Sequence, residues 1–254
     1  MIIIAGSCSL ETEKETLKQA AILDKNNITY LRAMMLKPRT TPTSFQGVGV
    51  EEGLKILTAV NRVFPHMVFV TEIMSEKQLE TLEKSSLPFV YQIGTRNAQN
   101  FGLLKELGSL KNVTFLYKRG MSMTIDEYIG GSQYLNPDQN SIWLCLRGIR
   151  TFDDSMRNTP DIGSILVLKE RLCYLFDKYK IFFDPSHACG ERKFVGSMAV
   201  IALIAGVDGL EIEIHSNPNE AWSDGHQTID FGDFEYLLGA LNRSTSSLCD
   251  FNLR

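Results

Sequence analysis

The sequence predicts a single (β/α)8 barrel, and three observations carry that expectation. Eight short apolar runs punctuate the 254 residues. They are rich in Val, Ile, Phe and Tyr and largely lack polar alternation, as strands covered on both faces do. A segment with helical spacing follows each run, and the strand–helix unit recurs at roughly 30 residues, the repeat of such barrels.

The first run, IIIAGS, leads into ETEKETLKQAAILDK, whose opening acidic residues suit a helix N-terminus. ITYLRAM precedes VEEGLKILTAVNRV, MVFVTEI precedes SEKQLETLEKS, and FVYQIG precedes NAQNFGLLKELG. TFLYKRG is followed by TIDEYIGGSQYL, and SIWLCLRG by SILVLKERLCYLFDKY. IFFDPSH then meets RKFVGSMAVIALIAG, and LEIEIH meets FGDFEYLLGALNR. Gly108 and Gly206 stand where helices would stop. No linker or low-complexity stretch divides the pattern, so residues 1–254 are expected to form one catalytic barrel with no separate regulatory domain.

An apolar fraction of 44% suits a large core, and a net charge of −4 gives no electrostatic case for nucleic acid or an anionic membrane. The four His and five Cys are scattered, and an odd cysteine count makes a poor disulfide framework. The opening MIIIAGSCSLE turns polar within ten residues, unlike a secretory leader. SMAVIALIAGV, the longest apolar run, is too short to span a bilayer. A cytoplasmic protein with reduced thiols is the expectation.

In such barrels the chemistry sits at the C-terminal ends of the strands. The charged and metal-binding types there are Cys8, Arg32 to Lys37, Glu72, Arg96, Lys118, Arg119, Arg147, Arg150, His187, Glu213 and His215. A single charged strand end signifies a solvated loop; this many at one mouth need ligands or partners. Cys8, His187, Glu213 and Asp224 offer a thiolate, an imidazole and two carboxylates, a mixture suited to one divalent cation such as Mn²⁺, Fe²⁺, Co²⁺ or Zn²⁺. Arg32, Lys37, Arg39, Arg96, Lys118 and Arg147 form a basic cup, and Arg forks grip phosphate or carboxylate. Metal and cup together imply a substrate with several anionic groups.

LKPRTTPTSFQG, YQIGTRNAQNFGLLKE, YKRGMSMTIDEYI, RGIRTF, DPSHACG and IEIHSNPNEAWSDGHQ, in this order along essentially the whole chain, resemble the 3-deoxy-D-arabino-heptulosonate 7-phosphate (DAHP) synthases. The resemblance is to the short branch, whose core is shared with 3-deoxy-D-manno-octulosonate 8-phosphate synthase. It implies condensation of phosphoenolpyruvate with erythrose 4-phosphate, the entry step of the shikimate pathway, with Cys8, His187, Glu213 and Asp224 holding the metal. Arg96 and Lys118 would grip the phosphate of phosphoenolpyruvate, and Arg32, Lys37 and Arg147 would help hold its carboxylate or phosphate end. Arg39 and Thr40 would take the aldose phosphate, and His187 or Lys37 would move the proton. Relatives commonly form tetramers, so a homo-oligomer is expected. The octulosonate synthase, using arabinose 5-phosphate, is the neighbouring alternative; it usually carries Asn-Arg after the Lys where this chain has KPRT. A catalytically silent barrel binding sugar phosphates is the alternative of another class.

Departures from the family pattern stand out at Ser7, where a proline is usual, at Ala33 and Met34 for glycines, at Leu146 for a glutamate, and at Cys189 for a threonine. Glu211 is the least expected. Alternation places Glu211, Glu213 and His215 on one face, and a carboxylate in a barrel lumen demands a partner that the sequence does not name. Two further expectations concern sulfur: without metal, Cys8 in a basic cup should become a low-pKa, reactive thiol, able to pair with Cys189.

Overall fold

The computed structural model describes residues 1–39, 41–175 and 177–249, with side chains as far as residue 245, so Thr40 lies outside the described residues. Eight parallel strands close into one barrel in sequence order. They are β1 (Ile2–Gly6), β2 (Tyr30–Arg32), β3 (Val68–Glu72), β4 (Phe89–Ile93), β5 (Thr114–Lys118), β6 (Ser141–Leu146), β7 (Tyr179–Phe183) and β8 (Gly209–Glu213). The helices are α1 (Glu13–Lys25), α2 (Val50–Val63), α3 (Glu76–Glu83), α4 (Phe101–Leu107), α5 (Ile125–Gln133), α6 (Gly163–Leu172), α7 (Pro185–Cys189), α8 (Arg192–Ile204) and α9 (Phe231–Cys249).

Local chemistry sets several boundaries. Thr12 caps α1 by accepting the Glu15 N–H, so the helix begins two residues inside the acidic run. Thr124 and Glu127 form a reciprocal capping box at α5. The segment 164–179 does not stay helical: α6 ends at Leu172, one 3₁₀ turn follows, and β7 opens at Tyr179. The short α7, unforeseen in the sequence, has Asp184 at its N-cap and Pro185 in its first turn.

Alternate strand residues point into the lumen. Its lower part is mainly apolar, filled by Ile4, Met34, Val70, Val90, Leu116, Trp143, Cys145 and Phe182, with Glu211 the charged exception at the level of Ile4. Trp143 stacks on Phe182 with ring centroids 4.8 Å apart. Gly209 makes room for this: a Cβ there would stand 2.3 Å from the Phe182 ring. The opposite strand face, with Leu31, Phe69, Phe115, Ile181 and Ile212, packs under the helices. Burial on both sides is why the strands read as unbroken apolar runs.

Candidate active site

Two residues further along five of the strands the lumen changes from apolar to polar. Val70 gives way to Glu72, Val90 to Gln92, Leu116 to Lys118, Cys145 to Arg147 and Phe182 to Asp184, all of them buried. A cavity opens above them, lined by Arg32, Lys37, Arg39, Arg96, Lys118 and Arg147, as the sequence led one to expect, together with Arg157, Glu72, Gln92, His187 and Asp224. Gly6 ends β1 beside β2 so tightly that a Cβ would meet the Arg32 carbonyl oxygen at 2.2 Å. That close approach brings Cys8 over the lumen.

The metal-binding types converge. Cys8, His187 and Glu213 each place one donor atom so that all three lie within 4.8 Å of one another. Asp224 stands at the edge of this group, its Oδ2 3.0 Å from Cys8 Sγ. Glu213 Oε1 is buried without a hydrogen-bond partner, although Arg32 Nη1 lies 3.1 Å away and His187 Nε2 3.5 Å away. An unfilled carboxylate oxygen facing an imidazole nitrogen and a thiol is what a divalent cation of borderline softness would complete. The residues fit such an ion.

The electrostatics explain how these groups coexist. Asp184 accepts the His187 backbone N–H at 2.8 Å, and its Oδ2 lies 2.7 Å from His187 Nδ1 and 2.5 Å from Lys118 Nζ. A proton on Nδ1 shared with Asp184 leaves Nε2 as the donor lone pair. Burial lowers the His187 pKa, against the pull of Asp184 and Glu213. Burial would raise Glu213, but His187, Arg32 and Lys37 more than offset it and hold the carboxyl below its usual range. Asp224 is likewise held low, by Lys37 and the Cys8 hydrogen bond acting against burial.

Cys8 departs from expectation. Burial, with Glu213 adding, pushes its thiol up to about 12, although Lys37 and Arg32 pull the other way. Lys37 Nζ lies 2.5 Å from Cys8 Sγ and Asp224 Oδ2 3.3 Å from the same ammonium. Desolvation in the closed cup therefore outweighs the neighbouring positive charge on this thiol. Cys189 is buried too and its thiol is also pushed up to about 12, so neither cysteine has the low pKa that ready oxidation needs.

Arg147 carries the clearest anion signal. It is 4% exposed, and its Nη1 has no hydrogen-bond partner. Burial, with Arg157 and Arg96 adding and Asp184 opposing, pulls its pKa down to about 10. A buried guanidinium with an unfilled fork, facing a cavity lined by other cations, asks for a phosphate or carboxylate. Arg39 Nη1 reaches Asp224 Oδ2 at 3.1 Å, at the rim.

Three charged strand ends are not in the cavity, the exposed Arg150 among them. Arg119 turns away to Asp161, at 2.7 Å, and to the Met123 carbonyl. His215 leaves the face of Glu213, because β8 ends there, and lies 3.1 Å from Glu11 and 3.7 Å from Glu15. Three contributors were missed in the sequence. Asp184 orients His187, Gln227 donates to Glu213 Oε2 at 2.7 Å, and Arg157 binds Gln227 and faces Asp224. Asp184 carried a signal, as an N-cap-type residue before Pro at a strand end; Arg157 and Gln227 sit in loops and carried none. Glu211 finds its partners in Arg32 and Lys118.

The model of the DAHP synthetase I family matches residues 1–249. The chain belongs to that family. It is 37% identical over 247 residues to the phospho-2-dehydro-3-deoxyheptonate aldolase of Thermotoga maritima, covering 97% of this chain and 70% of that one. It is 28% identical to the 2-dehydro-3-deoxyphosphooctonate aldolase of Protochlamydia amoebophila, over 94% of this chain and 89% of the relative. The crystal structure of the Thermotoga maritima DAHP synthase superposes with a TM-score of 0.87 at 36% identity, over 98% of this chain and 70% of that one. A truncated form from the same organism gives 0.83 at 33% identity, over 98% and 87%. The closed barrel found here is that of these DAHP synthetase relatives.

Proposed function

We propose that this barrel condenses phosphoenolpyruvate with erythrose 4-phosphate to give DAHP and inorganic phosphate, the first step of the shikimate pathway. The observation that carries the reading is the juxtaposition of the unfilled Arg147 fork with the Cys8–His187–Glu213 donor group at one barrel mouth. Membership of the DAHP synthetase I family and the 37% identity to the Thermotoga enzyme support it.

The chain's residues would act as follows. Lys118 and Arg96 take the phosphate of phosphoenolpyruvate, and Arg32, Lys37 and Arg147 steady its carboxylate or phosphate end. Arg39, with Thr40, takes the aldose phosphate. Two anions side by side repel, and the cations offset that repulsion while aligning the enol carbon with the aldehyde carbon. A divalent cation, of the Mn²⁺, Fe²⁺, Co²⁺ or Zn²⁺ kind, held by Cys8, His187, Glu213 and Asp224 supplies Lewis-acid polarisation of the aldehyde when bound. Water adds to the former enol carbon and phosphate departs. Lys37 carries the proton, since His187, with Nδ1–H on Asp184 and Nε2 given to the cation, has no nitrogen left for it.

The wider reading is of a single catalytic barrel acting in the cytoplasm as a homo-oligomer, a tetramer on the resemblance to its family. Among the described residues no helix is long and apolar enough to cross a membrane. Ile204 and Tyr236, on α8 and α9, stay 59% and 75% exposed, the kind of surface a partner copy covers. Phosphate release is the test, with metal, phosphoenolpyruvate and either erythrose 4-phosphate or arabinose 5-phosphate. Faster turnover with the four-carbon aldose is expected; release with arabinose 5-phosphate alone would transfer the chain to the octulosonate activity.

A further inference from the structure

Glu211 is fully buried one layer below the cavity, level with Ile4 on β1, and takes no part in lining it. Its Oε1 accepts the Arg32 Nε–H at 2.7 Å, and its Oε2 lies 2.8 Å from Lys118 Nζ and 3.8 Å from Cys145 Sγ. Arg32 comes from β2, Lys118 from β5, and both do line the cavity. We infer that Glu211 is a positioning residue for the condensation: it ties two substrate-binding cations together from below, decides which of their N–H groups face phosphoenolpyruvate, and trims the positive charge they present. This rests on the function proposed above.

Donor counting supports it. Lys118 has three N–H groups; Asp184 and Glu211 take two, which leaves one for the cavity. Arg32 gives its Nε–H to Glu211 and directs Nη1 to the Ser7 carbonyl at 2.6 Å and to Glu213 at 3.1 Å, leaving Nη2. A simple counter-ion would be redundant here, because Lys118 already has Asp184 and Arg32 already has Glu213. Among the described residues Glu211 is the one carboxylate paired with both cations. Removing it should therefore free their geometry without leaving either charge alone, and the fold should survive.

Two variants separate charge from reach. Glu211→Gln removes the charge and one of the two links, because an amide has a single acceptor oxygen. Glu211→Asp keeps the charge but is one methylene short of bridging both cations. The readouts are the affinity for inorganic phosphate, by calorimetry without substrates, and kcat for phosphate release. Removing a nearby negative charge should tighten phosphate binding by roughly tenfold in Glu211→Gln, whereas Glu211→Asp should stay near wild type. Lost positioning should lower kcat by about tenfold or more in both. A wild-type kcat in both variants would overturn the inference, as would phosphate affinity unchanged in Glu211→Gln, the mark of a merely structural residue. Should the Gln variant fail to fold, wild-type kcat in the Asp variant overturns the inference and lowered kcat at wild-type phosphate affinity supports it. A wild-type protein that binds phosphate but turns over neither aldose would instead overturn the condensation itself.

Discussion

The lower and upper halves of the lumen are built on the same strands yet satisfied in different ways. Below, Ile4, Val70, Val90, Leu116 and Phe182 close over one another, and Trp143 Nε1 is the lone buried polar atom without a partner among the described residues of that layer. Above, ion pairs hold the wall together, yet Glu72 Oε1, Gln92 Oε1, Arg147 Nη1 and Glu213 Oε1 all lack hydrogen-bond partners. Apolar packing is non-directional and saturates itself. Polar groups carry directed valences, and those left over mark where ligands belong.

The widest separation between the halves should come from chelation. Stripping divalent cations should take phosphate release to background while leaving the barrel folded by circular dichroism, since the lower lumen is held by apolar packing; undiminished turnover would break the reading of Cys8, His187 and Glu213.

Next comes a matched pair on β5, two residues apart. Lys118→Met leaves Asp184 and Glu211 short of a buried counter-charge and should cost about 3–5 kcal/mol in urea unfolding. Leu116→Met, its lower neighbour, conserves volume and should cost less than about 1.5 kcal/mol. Equal costs would erase the contrast. Between them in effect lies Arg147→Ala, expected to weaken phosphoenolpyruvate binding by about 1.5–3 kcal/mol, roughly ten- to a hundredfold, with little change in the unfolding midpoint. Arg39→Ala should act on the KM of the aldose phosphate and spare that of phosphoenolpyruvate, because Arg39 sits at the rim beside Asp224 rather than on the floor.

The same contrast explains what the sequence could reveal. Strands buried on both faces announce themselves as apolar runs, so all eight were legible, and so was the charge at their ends. Orientation was not legible where a strand stops: His215 was read on the face of Glu213, but β8 ends before it and the ring turns to Glu11. Arg119 was named at the same strand end as Lys118 but left out of the basic cup, and alternation indeed carries it outward to Asp161. Loop residues such as Arg157 reach the site only through tertiary folding. The Cys8 thiol was misjudged because desolvation depends on burial, which adjacent charges in a sequence do not report.

The seam of the barrel gives the donor group a role in assembly. Cys8 follows β1, Glu213 ends β8, and those strands pair from Ile2–Gly209 to Gly6–Glu213. The thiol and the carboxylate are thus contributed by the first and the last strand of the barrel, and they meet only when the ring shuts. Whatever bridges them favours the shut ring over any frayed one. Amide hydrogen exchange should slow most along β1 and β8 on loading and least along β4 and β5, on the far side of the ring, so that the chemistry of the mouth also serves as the clasp.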